Sequence, residues 1–191
     1  MPVAHRPRRR FLHQCLGALA ATRTLQALAQ AGNAIPKEAM QELPGAVYSG
    51  AARMRFLAFD IYDSKLWVAP GFKAGDYAQH AFALELSYLR SLSGNAIAER
   101  SLKEMRRVGN ITQEQEQRWL KAMKDAFPDV KDGDRIVGLH SPGTGARFWY
   151  NGQARASIAD PEFSRYFFGI WLSDNTSEPK LRTSLLERAL P

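Results

Sequence analysis

The sequence has 191 residues and a formal net charge of +7, and this length suits one domain with a sizeable core. The first 31 residues hold five arginines and no acidic residue. Taking these five charges from the total leaves +2 for the rest of the chain. The basic character therefore belongs mainly to the N-terminus, which argues against a nucleic acid as partner.

Residues 1–31 are predicted to be a twin-arginine-type signal peptide. Their pattern R-R-x-F-L is followed by a weakly apolar run, residues 15–21, that is too short and too polar to span a bilayer. Small residues allow cleavage after Ala29 or Ala31. We expect export by the twin-arginine machinery to the periplasm or the medium; the alternative is a disordered basic arm. The motif consists of Arg8, Arg9, Phe11 and Leu12.

Cysteine and histidine usage predicts a protein without metal or cofactor. Cys15 is the only cysteine, and it lies in the predicted signal peptide. Two histidines follow that segment, His80 and His140, and they fall on separate stretches without the spacing of zinc ligands. The acidic stretch 129–134 lacks the spacing of a calcium-binding loop, so a turn is the preferred interpretation.

Residues 32–44 are predicted to be a linker, and residues 45–191 to form the folded domain. A first strand is expected within residues 48–59, and residues 56–68 indicate a bulged strand pair or a bend. In residues 82–88 apolar and mixed positions alternate, which predicts a further strand. No transmembrane segment is expected after the signal peptide.

Two helices follow, near residues 95–108 and after the capping box that begins at Thr112. Residues 135–140 then predict a strand, and Asn151-Gly152 predicts a two-residue hairpin turn between the next two strands. In that register four side chains are expected to share one side of the sheet: Trp149, Ala154, Ala156 and Ile158.

The last two predicted elements are helices. Asp160 and Pro161 begin one that carries an apolar stripe, and a final helix covers about residues 178–189. The order is thus three strands, two helices, three strands and two helices. We therefore predict an α+β fold in which helices pack on one face of an antiparallel sheet. The aromatic stripe is Phe163, Tyr166, Phe167, Ile170 and Trp171.

Residues 133–172 carry a GD-x-I segment, a Gly-rich turn, an Asn-Gly hairpin and an FFGIWL helix in that order. With residues 59–67 and 82–90, they resemble the bacterial chalcone isomerase-like family from about residue 48 to 186. The resemblance implies an antiparallel sheet with helices on one face. It implies two kinds of function as well, because the superfamily includes cyclising isomerases and non-catalytic fatty-acid binders.

Five side chains are candidates for ligand contact. Arg90 continues the apolar phase of the strand before it, so we expect its guanidinium on a buried face, where it needs an anionic partner. That partner is either a ligand or a structural glutamate. Hydroxyl groups nearby could donate to the same ligand. The candidates are Arg53, Tyr62, Tyr88, Arg90 and Arg147.

In plant chalcone isomerases, an arginine after a glycine-containing segment orients the attacking phenolate. The resemblance offers Arg53, after Gly50, as its counterpart, and Tyr62 in place of a threonine; the family's lysine and asparagine have no counterpart. We therefore expect a non-catalytic binder of a fatty acid or a similar small amphipathic anion. The alternatives are an isomerase that cyclises its substrate without a metal or covalent intermediate, and a protein-interaction module.

Overall fold

The computed structural model describes residues 33–189. In this part of the chain six strands and several helices follow the predicted order, preceded by one short helix. The strands are β1 (Val47–Phe56), β2 (Phe59–Val68), β3 (Phe82–Tyr88), β4 (Arg135–Ser141), β5 (Gly145–Tyr150) and β6 (Gln153–Ile158). The α-helices are α1 (Lys37–Met40), α2 (Gly94–Val108), α3 (Gln113–Ala126), α4 (Pro161–Leu172) and α5 (Pro179–Leu185), with a 3₁₀ helix at Ala74–Gln79.

Each strand pairs antiparallel with its sequence neighbour, so the spatial order is β1-β2-β3-β4-β5-β6. The predicted α+β architecture with an antiparallel sheet is confirmed. The helix starts follow the sequence signals as well. Thr112 and Gln115 form the capping box of α3, and Asp160 accepts from the backbone of Phe163 at the start of α4.

The main core lies between one face of the sheet and helices α2 to α5. Helix α4 supplies its centre, where Phe163 and Phe168 are fully buried and Phe168 packs edge-on against Phe82 of β3. Gly138 of β4 lies beneath this helix, and a Cβ there would come within 3.0 Å of the Phe168 ring. The aromatic stripe therefore presses directly on the middle of the sheet.

The segment predicted as a linker, residues 32–44, is instead part of the fold where it is described. Ala39 of α1 and Leu43 are buried, at 0% and 3% exposure, and belong to a small cluster with Val137 and Leu139. This cluster covers the face of the sheet opposite the main core. Two apolar residues four apart are too few to produce a recognisable helical period, which is why the prediction was wrong.

One predicted register is also wrong. Trp149 pairs with Ala154 as expected, but Phe148 pairs with Ala156, because Arg155 is an extra residue in β6. Beyond the bulge, the side chains of Ala156 and Ile158 lie on the face of the main core, opposite Trp149. A one-residue insertion reverses which side chains face the core, and the sequence carries no strong signal for it.

None of the helices within residues 33–189 combines the length and apolar composition needed to cross a bilayer. The same residues contain no cluster of three or more His, Cys, Asp or Glu side chains arranged to hold a metal ion. The predicted twin-arginine motif, the cleavage sites and Cys15 lie outside the described residues.

Candidate functional site

A cavity of about 300 Å³ lies between strands β1 to β4 and the helices that cover them. Its size is at the lower end of small-molecule sites, which run from about 300 to 1,000 Å³. Most of its lining is apolar, as in pockets that hold hydrophobic ligands. Representative apolar lining residues are Met54, Ile61, Leu86, Ile97, Phe167 and Leu181.

A bulge in β2 shapes the wall of this cavity. Met54 pairs with Tyr62 and Arg55 pairs with Asp60, so Ile61 has no residue opposite it. Adjacent residues of a regular strand point to opposite faces, yet Ile61 and Tyr62 both line the cavity. The bulge therefore supplies an apolar group and a hydroxyl group from consecutive positions.

Two tyrosines and a tryptophan form the polar part of the deep wall. The Trp171 indole donates a 3.1 Å hydrogen bond to the Tyr62 hydroxyl, and the Tyr62 ring packs edge-on against Tyr88, 6.0 Å between centroids. Because the Tyr62 oxygen accepts from Trp171, its own proton is able to donate to a ligand. Burial raises the pKa of Tyr62 and of Tyr88 well above the ordinary value. Both groups therefore remain protonated hydrogen-bond donors at neutral pH.

Helix α2 contributes a charged group to the cavity. Arg100 lines it, and its guanidinium ion-pairs with Glu104 at 2.9 Å. Glu104 also lines the cavity, is only 7% exposed, and has a second partner in Arg107 at 3.3 Å. Since two cations share this one buried carboxylate, the group carries a net positive charge, and Arg100 retains N–H donors for a ligand.

The structure brings Tyr62 and Tyr88 together in the cavity, but it places Arg90, which was expected beside them, elsewhere. Strand β3 ends at Tyr88, and Arg90 lies in the bend that follows. Its half-buried guanidinium stacks on the Phe59 ring, 4.6 Å from the centroid. The alternation of β3 therefore does not extend to Arg90, and the prediction that it faces the apolar interior is wrong.

Arg53 and Arg147 do not line the cavity either. Arg53 pairs with Asp63 across β1 and β2 and makes ion pairs to Asp60 at 2.9 Å and to Asp63 at 2.6 Å. Arg147 ion-pairs with Glu42 and lies over the Trp149 ring, on the opposite face of the sheet. Both arginines hold neighbouring segments together.

Arg100 and Glu104 line the cavity but were not predicted from the sequence. Opposite charges at a spacing of four residues are typical of an ordinary surface pair on a helix. A sign of their position was available: Ile97, Arg100, Ser101 and Glu104 follow helical spacing and lie beside the apolar face of α2. Sequence alone, however, does not tell a partly buried helical face from a solvated one.

A buried histidine and serine also lie together, but away from the cavity. His140 Nδ1 is 2.6 Å from the Ser164 hydroxyl, His140 Nε2 is 3.0 Å from the Ala78 carbonyl, and both side chains are almost fully buried. The imidazole stacks on Phe82 at 4.8 Å between centroids. The pair joins β4 to α4 and has no access for a substrate, so we assign it a structural role.

The fold occurs in a solved structure. The crystal structure of a fatty-acid-binding protein from Arabidopsis thaliana superposes with a TM-score of 0.60 and 13% sequence identity. The match covers 76% of this chain and 89% of the plant chain. An uncharacterized protein of Haemophilus influenzae is 30% identical over 116 residues, which are 60% of this chain and 56% of that protein.

The family of this chain follows from a match to a family profile. The profile described as chalcone isomerase-like matches residues 28–187, most of the chain and nearly all of the part that the structure describes. The matched range contains the whole sheet, the helices that cover it and every cavity residue. This chain therefore belongs to the chalcone isomerase-like family.

Proposed function

We infer that this protein binds a fatty acid or a similar small amphipathic anion in the cavity. The observation that carries the inference is the composition of its lining: an apolar surface with a cationic group at Arg100 and hydroxyl groups at Tyr62 and Tyr88. The alkyl chain of a fatty acid matches the apolar surface, and its carboxylate matches the cationic and hydroxyl groups. The fold shared with a plant fatty-acid-binding protein supports the same ligand class.

The volume favours a ligand of modest length. A cavity of about 300 Å³ holds on the order of ten heavy atoms, if each takes about the 30 Å³ of a liquid water molecule. A medium-chain acid of about eight to ten carbons, which has about ten to twelve heavy atoms, is close to this estimate, and a longer chain would extend past the rim. Glu178 also lines the cavity, so a second negative charge on the ligand would be repelled.

The protonation state of the tyrosines favours binding over catalysis. Their raised pKa values make Tyr62 and Tyr88 poor bases at neutral pH. Catalysis of a cyclisation would have to depend on positioning and on Arg100.

Replacing Arg100 tests the proposal. Loss of a charge-assisted hydrogen bond costs about 2 kcal/mol, or roughly thirtyfold in affinity. We expect Arg100→Met to bind decanoate about thirtyfold more weakly than the wild type, measured by isothermal titration calorimetry. Methyl decanoate, which lacks the charge, should bind both proteins with similar affinity.

Arg107→Met is the matched control, because it removes the other partner of Glu104 without touching the cavity. Its decanoate affinity should fall much less than that of Arg100→Met, because Arg107 balances the charge of Glu104 but does not line the cavity. Arg90→Met should bind decanoate as the wild type does. Equal losses in Arg100→Met and Arg107→Met would mean that the carboxylate does not bind Arg100. No binding of decanoate by the wild type would reject the ligand class and favour the interaction-module alternative.

Export through the twin-arginine machinery is the second part of the proposal, and it rests on Arg8, Arg9, Phe11 and Leu12. A destination in the periplasm or medium follows from it. Changing Arg8 and Arg9 to lysine should leave unprocessed precursor in the cytoplasm, detected by fractionation and immunoblotting. Normal processing of the double variant would contradict twin-arginine export.

A further inference from the structure

The turn between β1 and β2 presents apolar side chains to solvent beside the cavity. We name residues 56–59 the hairpin tip. Phe56 is 50% exposed, Leu57 is 84% exposed and Phe59 is 56% exposed. Adjacent large apolar side chains on a surface mark an interaction site more often than isolated ones do.

The backbone of the hairpin tip makes a leucine there unexpected. Leu57 has a φ of +55°, in the left-handed region that glycine and asparagine adopt more readily. A leucine at this position gains little from burial and is disfavoured by its conformation. Contact with an apolar phase outside the domain would compensate for both.

Arginines surround the hairpin tip. The Arg90 guanidinium lies over the Phe59 ring at 4.6 Å, and Arg100 lies over the Phe56 ring at 5.5 Å. Of the described residues, only these two arginines stack on rings of the tip. Ion pairs on the flanking strands β1 and β2, and those of Glu104 on α2, bring the total beside the tip to five arginines and three acids, so the surrounding charge is positive. These residues are Arg53, Arg55, Arg90, Arg100 and Arg107, with Asp60, Asp63 and Glu104.

We propose that the hairpin tip inserts into the interface of an anionic lipid membrane. The exposed aromatic and leucine side chains suit the boundary between headgroups and acyl chains, and the arginines suit anionic headgroups. Phe56 belongs both to the tip and to the cavity lining. Docking therefore places the cavity rim at the lipid surface, where an acyl ligand could enter or leave without crossing water.

Insertion is tested by depth-dependent fluorescence quenching with the full chain. Leu57→Trp places a fluorophore at the tip, and Val47→Trp places one at the other end of β1, at a position that is 57% exposed. Vesicles of phosphatidylglycerol and phosphatidylcholine carry bromine-labelled acyl chains. We expect the added emission at position 57, after subtraction of the wild-type signal, to be quenched and that at position 47 to remain unquenched.

Equal quenching at both positions would overturn the proposal. An absence of quenching at position 57 would overturn it as well, and that is the result expected if the tip binds a protein instead of a membrane. A second pair of variants measures the strength of binding. Leu57→Asn suits the positive φ and should lower partition into the anionic vesicles about tenfold, whereas Val47→Asn should leave it unchanged. The basic N-terminus is the same in all variants, so it cannot produce this difference.

Lipid charge is the remaining variable. Equal partition of the wild type into pure phosphatidylcholine vesicles would overturn the assignment to anionic lipid. None of these measurements requires a ligand in the cavity. Failure of fatty-acid binding and failure of membrane docking are therefore separate results.

Discussion

At the scale of single residues, protein partners hold two polar groups of the cavity in place. Tyr62 is held in place by the indole of Trp171, so its hydroxyl has a fixed position and a proton to donate. Arg100 is oriented by Glu104 on the same helix. Tyr62 and Arg100, which are proposed to bind the carboxylate, thus each have a protein partner that sets their orientation, and this would reduce the entropy lost when a ligand binds.

His140 should make stability depend on pH. Burial lowers the pKa of this imidazole below 6.5, so the unfolded chain takes up a proton at higher pH than the folded protein does. The contribution of neutral His140 to the free energy of unfolding is therefore fully present above about pH 6.5, and it is lost as the pH falls toward and through the folded-state pKa. The loss from this group is at most about 1.4 kcal/mol per pH unit.

The check is the free energy of unfolding from urea titrations at several pH values between 7.5 and 5.5. His140→Gln should be less stable than the wild type at pH 7.5 but should show a smaller decrease toward pH 5.5. His80→Gln is the control, because His80 is partly exposed. If the free energy of unfolding of His140→Gln fell toward pH 5.5 as steeply as that of the wild type, the pH dependence would come from other groups.

Tyr88 was predictable because strand alternation over residues 82–88 is a strong pattern that places its side chain on the apolar face. Tyr62 was proposed from the family resemblance, since the bulge at Ile61 breaks the alternation of β2. Arg90 was misplaced because the sequence does not show where β3 ends. Arg100 was missed for a different reason. Whether a charged helical residue lines a cavity depends on how α2 crosses the sheet, which is a tertiary property that local sequence does not encode.

At the scale of elements, irregularities position the site more than the regular structure does. The bulge at Ile61 shapes the cavity wall, and a second irregularity in β1 places Ser49, whose hydroxyl donates to the Leu185 carbonyl at 2.8 Å. That bond attaches α5 to the first strand. The Asn-Gly hairpin was predicted correctly, since its turn chemistry is local, whereas the bulge at Arg155, three residues beyond it, was not.

Gly50 should be essential for the packing of α5 on β1. A Cβ at this position would lie 2.1 Å from the Ser184 carbonyl oxygen, so the helix would have to move. We expect Gly50→Ala to lower the free energy of unfolding by about 1–3 kcal/mol, the usual cost of overpacking. Thermal denaturation followed by circular dichroism measures the change.

Gly75→Ala is the matched control, because a Cβ at this position would meet no atom within 4 Å beyond its neighbours in the chain. Its melting temperature should stay close to that of the wild type. If Gly50→Ala were as stable as this control, α5 would not be fixed against β1 as described.

At the scale of the whole molecule, a six-stranded meander separates two faces with different roles. One face carries the helices and the cavity, and the other is covered in part by α1 and the segment after it. The sequence predicted the order of elements because each of them has its own start signal or period. It did not reveal that the second face is covered, since the cover consists of few residues.

We propose that the cavity holds one amphipathic acyl ligand. Native mass spectrometry of the purified full chain tests it most directly, with identification of the released molecule after denaturation. We predict either a species with one bound acyl chain or, in delipidated protein, a 1:1 complex on addition of decanoate, in each case much depleted in Arg100→Met. A wild-type protein that carries no acyl chain and forms no complex with added decanoate would contradict the account.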